Sequence, residues 1–302
     1  MRHLHFGKLF FVVFSLLLAY TVSARKPIKT LLITGQNNHN WQVSHVVLKQ
    51  ILENSGRFDV DFVISPEQGK DMSGFVLDFS PYQLVVLDYN GDSWPEETNR
   101  RFLEYVQNGG GVVIYHAADN AFSKWPEFNR ICALGGWEGR NENSGPYVYW
   151  KDGKLVKDSS AGGSHGRQHE YVLNGRDKVH PVVKGLPLKW RHAKDELYDR
   201  MRGPGNIRDI LYTAYSDKET NGSGREEPLV FTVDYGNARI FHTMLGHAGA
   251  TTEDNIAMQC TGFQVLLLRG AEWAATGKVT QKVPKDFPTE TTCSYRKDYK
   301  EN

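Results

Sequence analysis

The sequence predicts an α/β fold: a mostly parallel sheet with helices on both faces. Three observations point there. The first half runs strand, helix, strand and then repeats that order, which is the pattern of parallel βαβ units. Two of its strands, Leu84–Leu87 (LVVL) and Val112–Tyr115 (VVIY), are apolar throughout, as strands covered on both faces must be. A long apolar helix, Phe263–Ala275 (FQVLLLRGAEWAA), closes the second half. At 302 residues, with 40% hydrophobic and 24% charged side chains, the chain has the make-up of an ordinary globule of one large or two small domains.

The first two dozen residues stand outside that fold. Arg2 and Lys8 give a basic start, Leu9 to Tyr20 is almost wholly apolar, and Val22-Ser23-Ala24 supplies small residues for cleavage. This reads as a secretory signal peptide over residues 1–24. The apolar run is shorter than the ~20 residues a membrane span needs, and no other segment is apolar enough to cross. The mature form is therefore expected to carry no membrane span and to be exported, to a periplasm or beyond the cell. The folded domain is expected over residues 25–280, with a polar tail at 281–302 along its surface.

Lys29–Ile33 is a short buried-type strand that runs into a polar loop, Thr34–Asn40 (TGQNNHN). Val43, Val46, Val47, Leu48, Ile51 and Leu52 then make a helical stripe, stopped at Gly56. Phe58, Val60, Phe62 and Ile64 alternate with mostly polar residues, as a strand does. After Leu84–Leu87, Ser93-Trp94-Pro95-Glu96 has the spacing of a capping box, and Phe102, Leu103 and Val106 give the following helix its apolar face. Gly109 to Gly111 stop that helix, and Val112–Tyr115 ends on His116. Residues 135–166 are rich in Gly, Asn and Ser and carry Trp137, Tyr147, Tyr149 and Trp150. They predict a loop-rich insertion with at most a small hairpin, and a loop of that length is usually functional or mobile. Strand signals return at His169–Leu173, Ile210–Thr213, Leu229–Val233 and Arg239–Thr243, the last two joined by a tight turn at Gly236-Asn237.

Composition excludes several functions. Lys and Arg number 36 against 35 Asp and Glu, for a net charge of +1, so no basic face for nucleic acid is expected. Three cysteines rule out a disulfide-built scaffold and a four-cysteine zinc site. Cys260 and Cys293 can pair in an oxidising compartment, leaving Cys132 free, but spacing alone does not decide it. The chain has no G-x-S-x-G, no P-loop and no G-x-G-x-x-G after its first strand, which argues against serine hydrolases and nucleotide sites.

His116 is the sharpest candidate for chemistry, because ligands bind beyond the carboxyl ends of parallel strands. Asp119, three residues on, is placed to orient it. Asp195-Glu196-Leu197-Tyr198-Asp199 is an acidic cluster beside Arg200 and Arg202. It offers a general base or a metal ligand, with a salt-bridged surface turn as the plainer alternative. Of the two histidines in FHTMLGH, His247 follows a glycine and is the functional candidate, while His242 reads as packing. His165 and His169 are four apart, a zinc spacing on a helix, but their surroundings are strand-like. His180 is expected at a structural turn and His192 at the surface.

The strings HAADNAFSKWPEF, HGRQHEYVL, HPVVKGLP, HAKDELYDRMRGP, EEPLVFTVDYGNARIFHTMLGH and RGAEWAATGKVT occur in the order of the ThuA-like (trehalose-utilisation) proteins, which the chain resembles from Lys29 to Thr280. The resemblance implies a fold like the class I glutamine amidotransferases, a flavodoxin-like three-layer sandwich. His116 and its neighbours stand where the amidotransferase nucleophile would be, so no glutaminase activity is expected. It also implies a role in carbohydrate metabolism, alongside oxidoreductases that make 3-keto glycosides. By motif, the strand-end histidine is His116, the D-E-L-Y string supplies Glu196 and Tyr198, the G-H string supplies His247, and His39 and Trp41 lie in and after the first polar loop. The expected catalytic residues are His116, Glu196 and His247, with His39, Trp41, Asp119 and Tyr198 on a small-molecule carbohydrate. A divalent metal such as zinc would sit on His39, His116, Glu196 and His247. Trp41, Trp94 and Trp137 are candidates to stack on a sugar face. The expected function is a lyase, isomerase or hydrolase acting on glycosides or 3-keto sugars by His/Glu acid-base chemistry, with or without help from a metal. The alternatives are a metal-dependent hydrolase of another substrate and a non-catalytic sugar-binding protein.

Overall fold

The computed structural model describes residues 26–159, 162–253 and 255–299, so the expected signal peptide lies outside the described residues. Its first half is two βαβ units. Strand β1 (Ile28–Thr34), helix α1 (Trp41–Asn54) and β2 (Phe58–Ile64) form one; β3 (Leu84–Leu87), α2 (Glu96–Gln107) and β4 (Gly111–Tyr115) form the other. These strands lie in the order β2-β1-β3-β4, all parallel. The chain steps one way from β1 to β2 and the opposite way from β3 to β4, so right-handed crossovers put α1 and α2 on opposite faces. The expected capping box does not form. Pro95 occupies the N-cap of α2, no side chain caps the helix, and Ser93 lies two residues ahead of that position.

Beyond β4 come a 3-10 turn (His116–Asn120) and α3 (Pro126–Cys132). The insertion folds as a hairpin of β5 (Tyr147–Lys151) and β6 (Lys154–Asp158), followed by a two-residue strand, β7 (Ser164–His165). Then follow β8 (His169–Gly175), β9 (Lys189–Asp195), β10 (Tyr198–Asp199), β11 (Ile207–Ser216), β12 (Arg225–Val233), β13 (Arg239–Thr243), α4 (Ile256–Gln259) and α5 (Thr261–Thr276). Strand β13 pairs parallel to β4; from there β12, β11, β8 and β9 continue the same sheet antiparallel, while β7 and β10 pair apart from it. The hairpin hangs on β12 through Trp150 opposite Glu226.

Strands β9 and β10 are absent from the sequence reading. In β9, Trp190, His192, Ala193 and Asp195 are buried while Lys189 and Lys194 are exposed. Two of those inward residues are polar, so the alternation does not look amphipathic. His192, expected at the surface, is fully buried.

Helix α5 packs on β4 and β13 and touches α1. Its approach is close: a Cβ at Gly111 would stand 2.6 Å from the Ala274 carbonyl, so the start of β4 needs a glycine there. Near α2 and α3, an aromatic cluster joins Trp94, Phe102, Phe122, Trp125 and Phe128. Among the described residues no helix is long and apolar enough to cross a membrane. The C-terminal tail lies against β9 and the start of α5, through Arg191 N–H to the Thr289 carbonyl and Thr261 N–H to the Ser294 carbonyl. It brings the Cys293 Sγ to 3.8 Å from the Cys260 Sγ, both as thiols.

Under the insertion, Glu227 of β12 is buried, accepting from the Tyr147 hydroxyl and from Ser223 Oγ at 2.6 Å. Burial pushes its carboxyl up to about 8, against those donors. A carboxyl whose folded value exceeds its unfolded one favours folding at low pH and loses that advantage as pH rises to the folded value. Between pH 4.5 and about 8 the wild type should therefore lose up to a few kcal/mol relative to Glu227→Gln. Urea unfolding at both ends of that window checks this; parallel stability curves for the two proteins would contradict it.

Candidate metal centre

The site is assembled at the carboxyl rim of the parallel strands, one loop at a time. After β1, Asn37 holds the loop: its Oδ1 accepts from the His39 N–H at 2.9 Å, and its Nδ2 donates to Asp88 Oδ1 at 3.1 Å. Asp88 follows β3, is fully buried, and also accepts from Thr34 Oγ1 at 3.2 Å and Ser44 Oγ at 2.6 Å. Burial pushes its carboxyl up to about 7 despite these donors. Asn90 ties the loop after β3 to its neighbours, accepting from the Asn38 N–H at 3.1 Å and donating to the Ala117 carbonyl at 3.1 Å.

His116 opens the 3-10 turn after β4 with φ of 44°, a left-handed conformation that few non-glycine residues adopt. Its Nδ1 stands 2.7 Å from the Met244 carbonyl. A carbonyl only accepts, so Nδ1 carries a proton, and the neutral ring presents a lone pair at Nε2.

Glu196 and His247 come from the antiparallel side, and Asp195 binds them together. Its Oδ1 accepts from the Glu196 N–H at 2.7 Å and the His247 N–H at 3.1 Å. Its Oδ2 accepts from the Gly246 N–H at 2.7 Å and lies 2.7 Å from His192 Nε2. Burial would raise this carboxyl, but His192 and the other partners hold it below its usual value.

The result is one cluster. One ligand atom from each of His39, His116, Glu196 and His247 lies within 4.8 Å of every other. Glu196 Oε2 is at the centre, 3.2 Å from His39 Nε2, 3.3 Å from His247 Nδ1 and 3.7 Å from His116 Nε2. Burial would raise the Glu196 carboxyl, but the three imidazoles hold it far below the carboxylate range. Burial lowers His39 to about 4, Glu196 opposing and His116 adding to the fall. Burial also weighs against a charged His116, but Glu196, Asp195 and the Met244 carbonyl outweigh it and hold that ring above the ordinary value. His247 Nδ1 is buried with no hydrogen-bond partner of good geometry.

The four expected metal ligands thus meet. Tyr198, expected on substrate, is 1% exposed and places its hydroxyl 3.2 Å from His116 Nε2. Trp41 begins α1, half-buried, with its ring 5.7 Å from His45. Asp119 does not reach the cleft. The turn after His116 runs inward, and Asp119 is fully buried with Oδ2 at 3.6 Å from His242 Nε2. It therefore neither orients His116 directly nor meets a ligand. His242 packs, as expected, with Nδ1 on the Cys132 carbonyl at 2.9 Å. Trp94 sits in the aromatic cluster at 3% exposure and offers no face to a sugar. His165 and His169 do not share a face, since each Nδ1 bonds a carbonyl of its own loop.

Three contributors escaped the sequence. Asp195 was seen only as part of an acidic run. His165 Nε2 lies 3.9 Å from Glu196 Oε1, and Gln168 Nε2 lies 3.4 Å from the same oxygen. Only the pairing of β7 with β10 brings them there, and a two-residue strand leaves no pattern in sequence.

A profile of the ThuA family, described as trehalose utilisation, matches residues 29–274. The chain belongs to the ThuA family. A crystal structure of a ThuA-like protein from Parabacteroides merdae is 99% identical, covering 92% of this chain and 100% of that one at a TM-score of 0.91. A ThuA-like protein from Bacteroides uniformis, 19% identical over 86% of this chain and 97% of that one, shares the fold at a TM-score of 0.54. No curated protein matches the chain.

In this ThuA chain the G-H string carries a backbone requirement as well as a ligand. Gly246 has φ of 99°, and a Cβ there would lie 2.5 Å from the Phe263 ring and 3.0 Å from Tyr115. Gly246→Ala is expected to cost at least about 2 kcal/mol, from a disfavoured φ and overpacking together. A melting temperature equal to wild type would refute this.

Proposed function

We propose that the ThuA chain is an exported carbohydrate-processing enzyme whose centre, His39, His116, Glu196 and His247, holds a divalent metal such as zinc. One observation carries the reading: four donors from four separate loops converge, with one ligand atom of each within 4.8 Å of every other. His116 has its proton on Nδ1. His39 stands between two acceptors, Asn38 Oδ1 at 3.2 Å from Nδ1 and Glu196 Oε2 at 3.2 Å from Nε2, and with its proton on Nδ1 it turns a lone pair toward the Glu196 carboxylate. A divalent ion between those lone pairs and the carboxylate would be attracted by both. Three nitrogens and one oxygen are a donor set that suits zinc, and the carbonyl on His116 Nδ1 is the usual outer support for a ligating imidazole. A bound divalent ion polarises a carbonyl or activates a water.

The chain's own residues do the rest. The Met244 carbonyl holds the His116 ring through Nδ1, Glu196 is kept ionised, and the Tyr198 hydroxyl stands beside the centre, 3.2 Å from the His116 Nε2 that would take the ion. The order β2-β1-β3-β4-β13 supports a flavodoxin-like, amidotransferase-like arrangement, in which ligands gather where strand order reverses between β1 and β3. His39 stands at that point. A glutaminase reaction is not proposed, since the strand-end position is His116 and the Cys132 thiol is buried.

The substrates proposed are glycosides or their 3-keto forms, in lyase, isomerase or hydrolase chemistry. The test is to measure the metal content of purified protein by mass spectrometry. The protein is then incubated with glycosides and 3-keto glycosides, with and without chelator. About one metal per chain and a chelator-sensitive product are expected; a metal-free protein whose turnover ignores added zinc would overturn the metal centre.

A further inference from the structure

We infer that the inserted segment forms a stacking subsite for a neutral, unphosphorylated pyranose ring beside the centre. This deepens the carbohydrate reading and rests on it. Strand β7 pairs antiparallel with β10, setting His165 opposite Tyr198. The rings of His165 and Tyr198 stack at 6.2 Å, and Tyr198 stacks on His116 at 4.6 Å. Trp137 completes the wall, edge-on to Tyr198 at 5.0 Å and tilted to His165 at 6.0 Å.

Two facts set Trp137 apart from a packing residue. It remains partly exposed, although a fully buried Tyr198 lies beside it. It and Glu138 both hold φ of 46°, a conformation costing of order 1–3 kcal/mol per residue that persists only where surroundings impose it. Arg140 imposes it here, donating to the carbonyls of Asn120, Ala121 and Gly136 and to Asn129 Oδ1. The wall thus presents Trp137 and His165 to solvent, backed by the buried Tyr198, with an exposed amide, Gln168, at its edge. Such a surface suits a ligand with an apolar face and hydroxyls at its rim.

Charge narrows the ligand further. Phosphate recognition calls for an Arg or Lys free to form charge-assisted hydrogen bonds. The arginines of the flanking segments are engaged elsewhere: Arg140 on the carbonyls above, Arg200 on Ser164 Oγ and Asp199, Arg167 on the Glu219 carbonyl. The geometry favours a neutral glycoside over its phosphate ester.

Calorimetric titration of the mature chain with trehalose, methyl α-glucoside and trehalose 6-phosphate tests this, with metal content measured in parallel. Binding of a neutral sugar is expected, at least tenfold tighter than the phosphate ester. Trp137→Ala should weaken it at least tenfold with metal content unchanged, and Trp137→Phe should restore most of it. Equal binding by Trp137→Ala, a preference for the phosphate ester, or no binding of either neutral sugar would overturn the subsite. Trp137-dependent sugar binding in a protein that takes up no metal would instead sink the metal centre and leave the subsite standing.

Discussion

Glu196→Gln is expected to lower zinc affinity by at least roughly 100-fold, since even outer-sphere partners of a ligand are worth 10–100-fold. The substitution keeps the shape and removes the one negative charge among the four donors. Three imidazoles then face an amide that cannot balance a divalent ion. The support that holds His116 above its ordinary value goes too, because Glu196 supplies much of it. Competition against a chelating dye measures the loss, and circular dichroism checks that the fold persists. Wild-type affinity in this variant would remove Glu196 from the centre.

Asp195→Asn should be costly for a different reason. Asp195 touches no ligand position with its side chain, yet it accepts from the backbone of Glu196, Gly246 and His247 and faces His192. An amide places a donor where every neighbour is already a donor. With the site fully buried, about 3 kcal/mol of stability should be lost. Zinc affinity should fall roughly 10–100-fold, because two of the four ligands lose their common anchor. Both effects should appear together, in urea unfolding of the metal-free chain and in dye competition. Asp195→Asn with intact zinc affinity and reduced stability would make the residue merely structural.

The parallel half of the fold was legible because its strands are covered on both faces and its helices carry clean stripes. That reasoning put His39 and His116 at the strand ends, the family motifs added Glu196 and His247, and the four do meet. What stayed hidden has a common cause. Strand β9 buries His192 and Asp195 as partners of each other, so its inward face is polar and period-two reading fails. Asp119 looked like an assistant to His116 because it is close in sequence and polar, but the chain turns inward and it pairs with His242. The capping box failed by a shift of two residues, a difference that spacing cannot see. His165 was noticed for the wrong partner: its neighbour is Glu196, reached through the short pairing with Tyr198.

The parallel set of strands is not filled in chain order. Strand β13, residues 239–243, closes it against β4, residues 111–115, and the whole antiparallel extension is threaded between them in sequence. A growing polypeptide therefore cannot finish its hydrophobic centre until Thr243 has been made, and such long loop closure slows folding. Any truncation ahead of residue 239 removes the strand and His247 in one cut. The unfinished molecule would stay open, and no partial version of the donor set could trap an ion early.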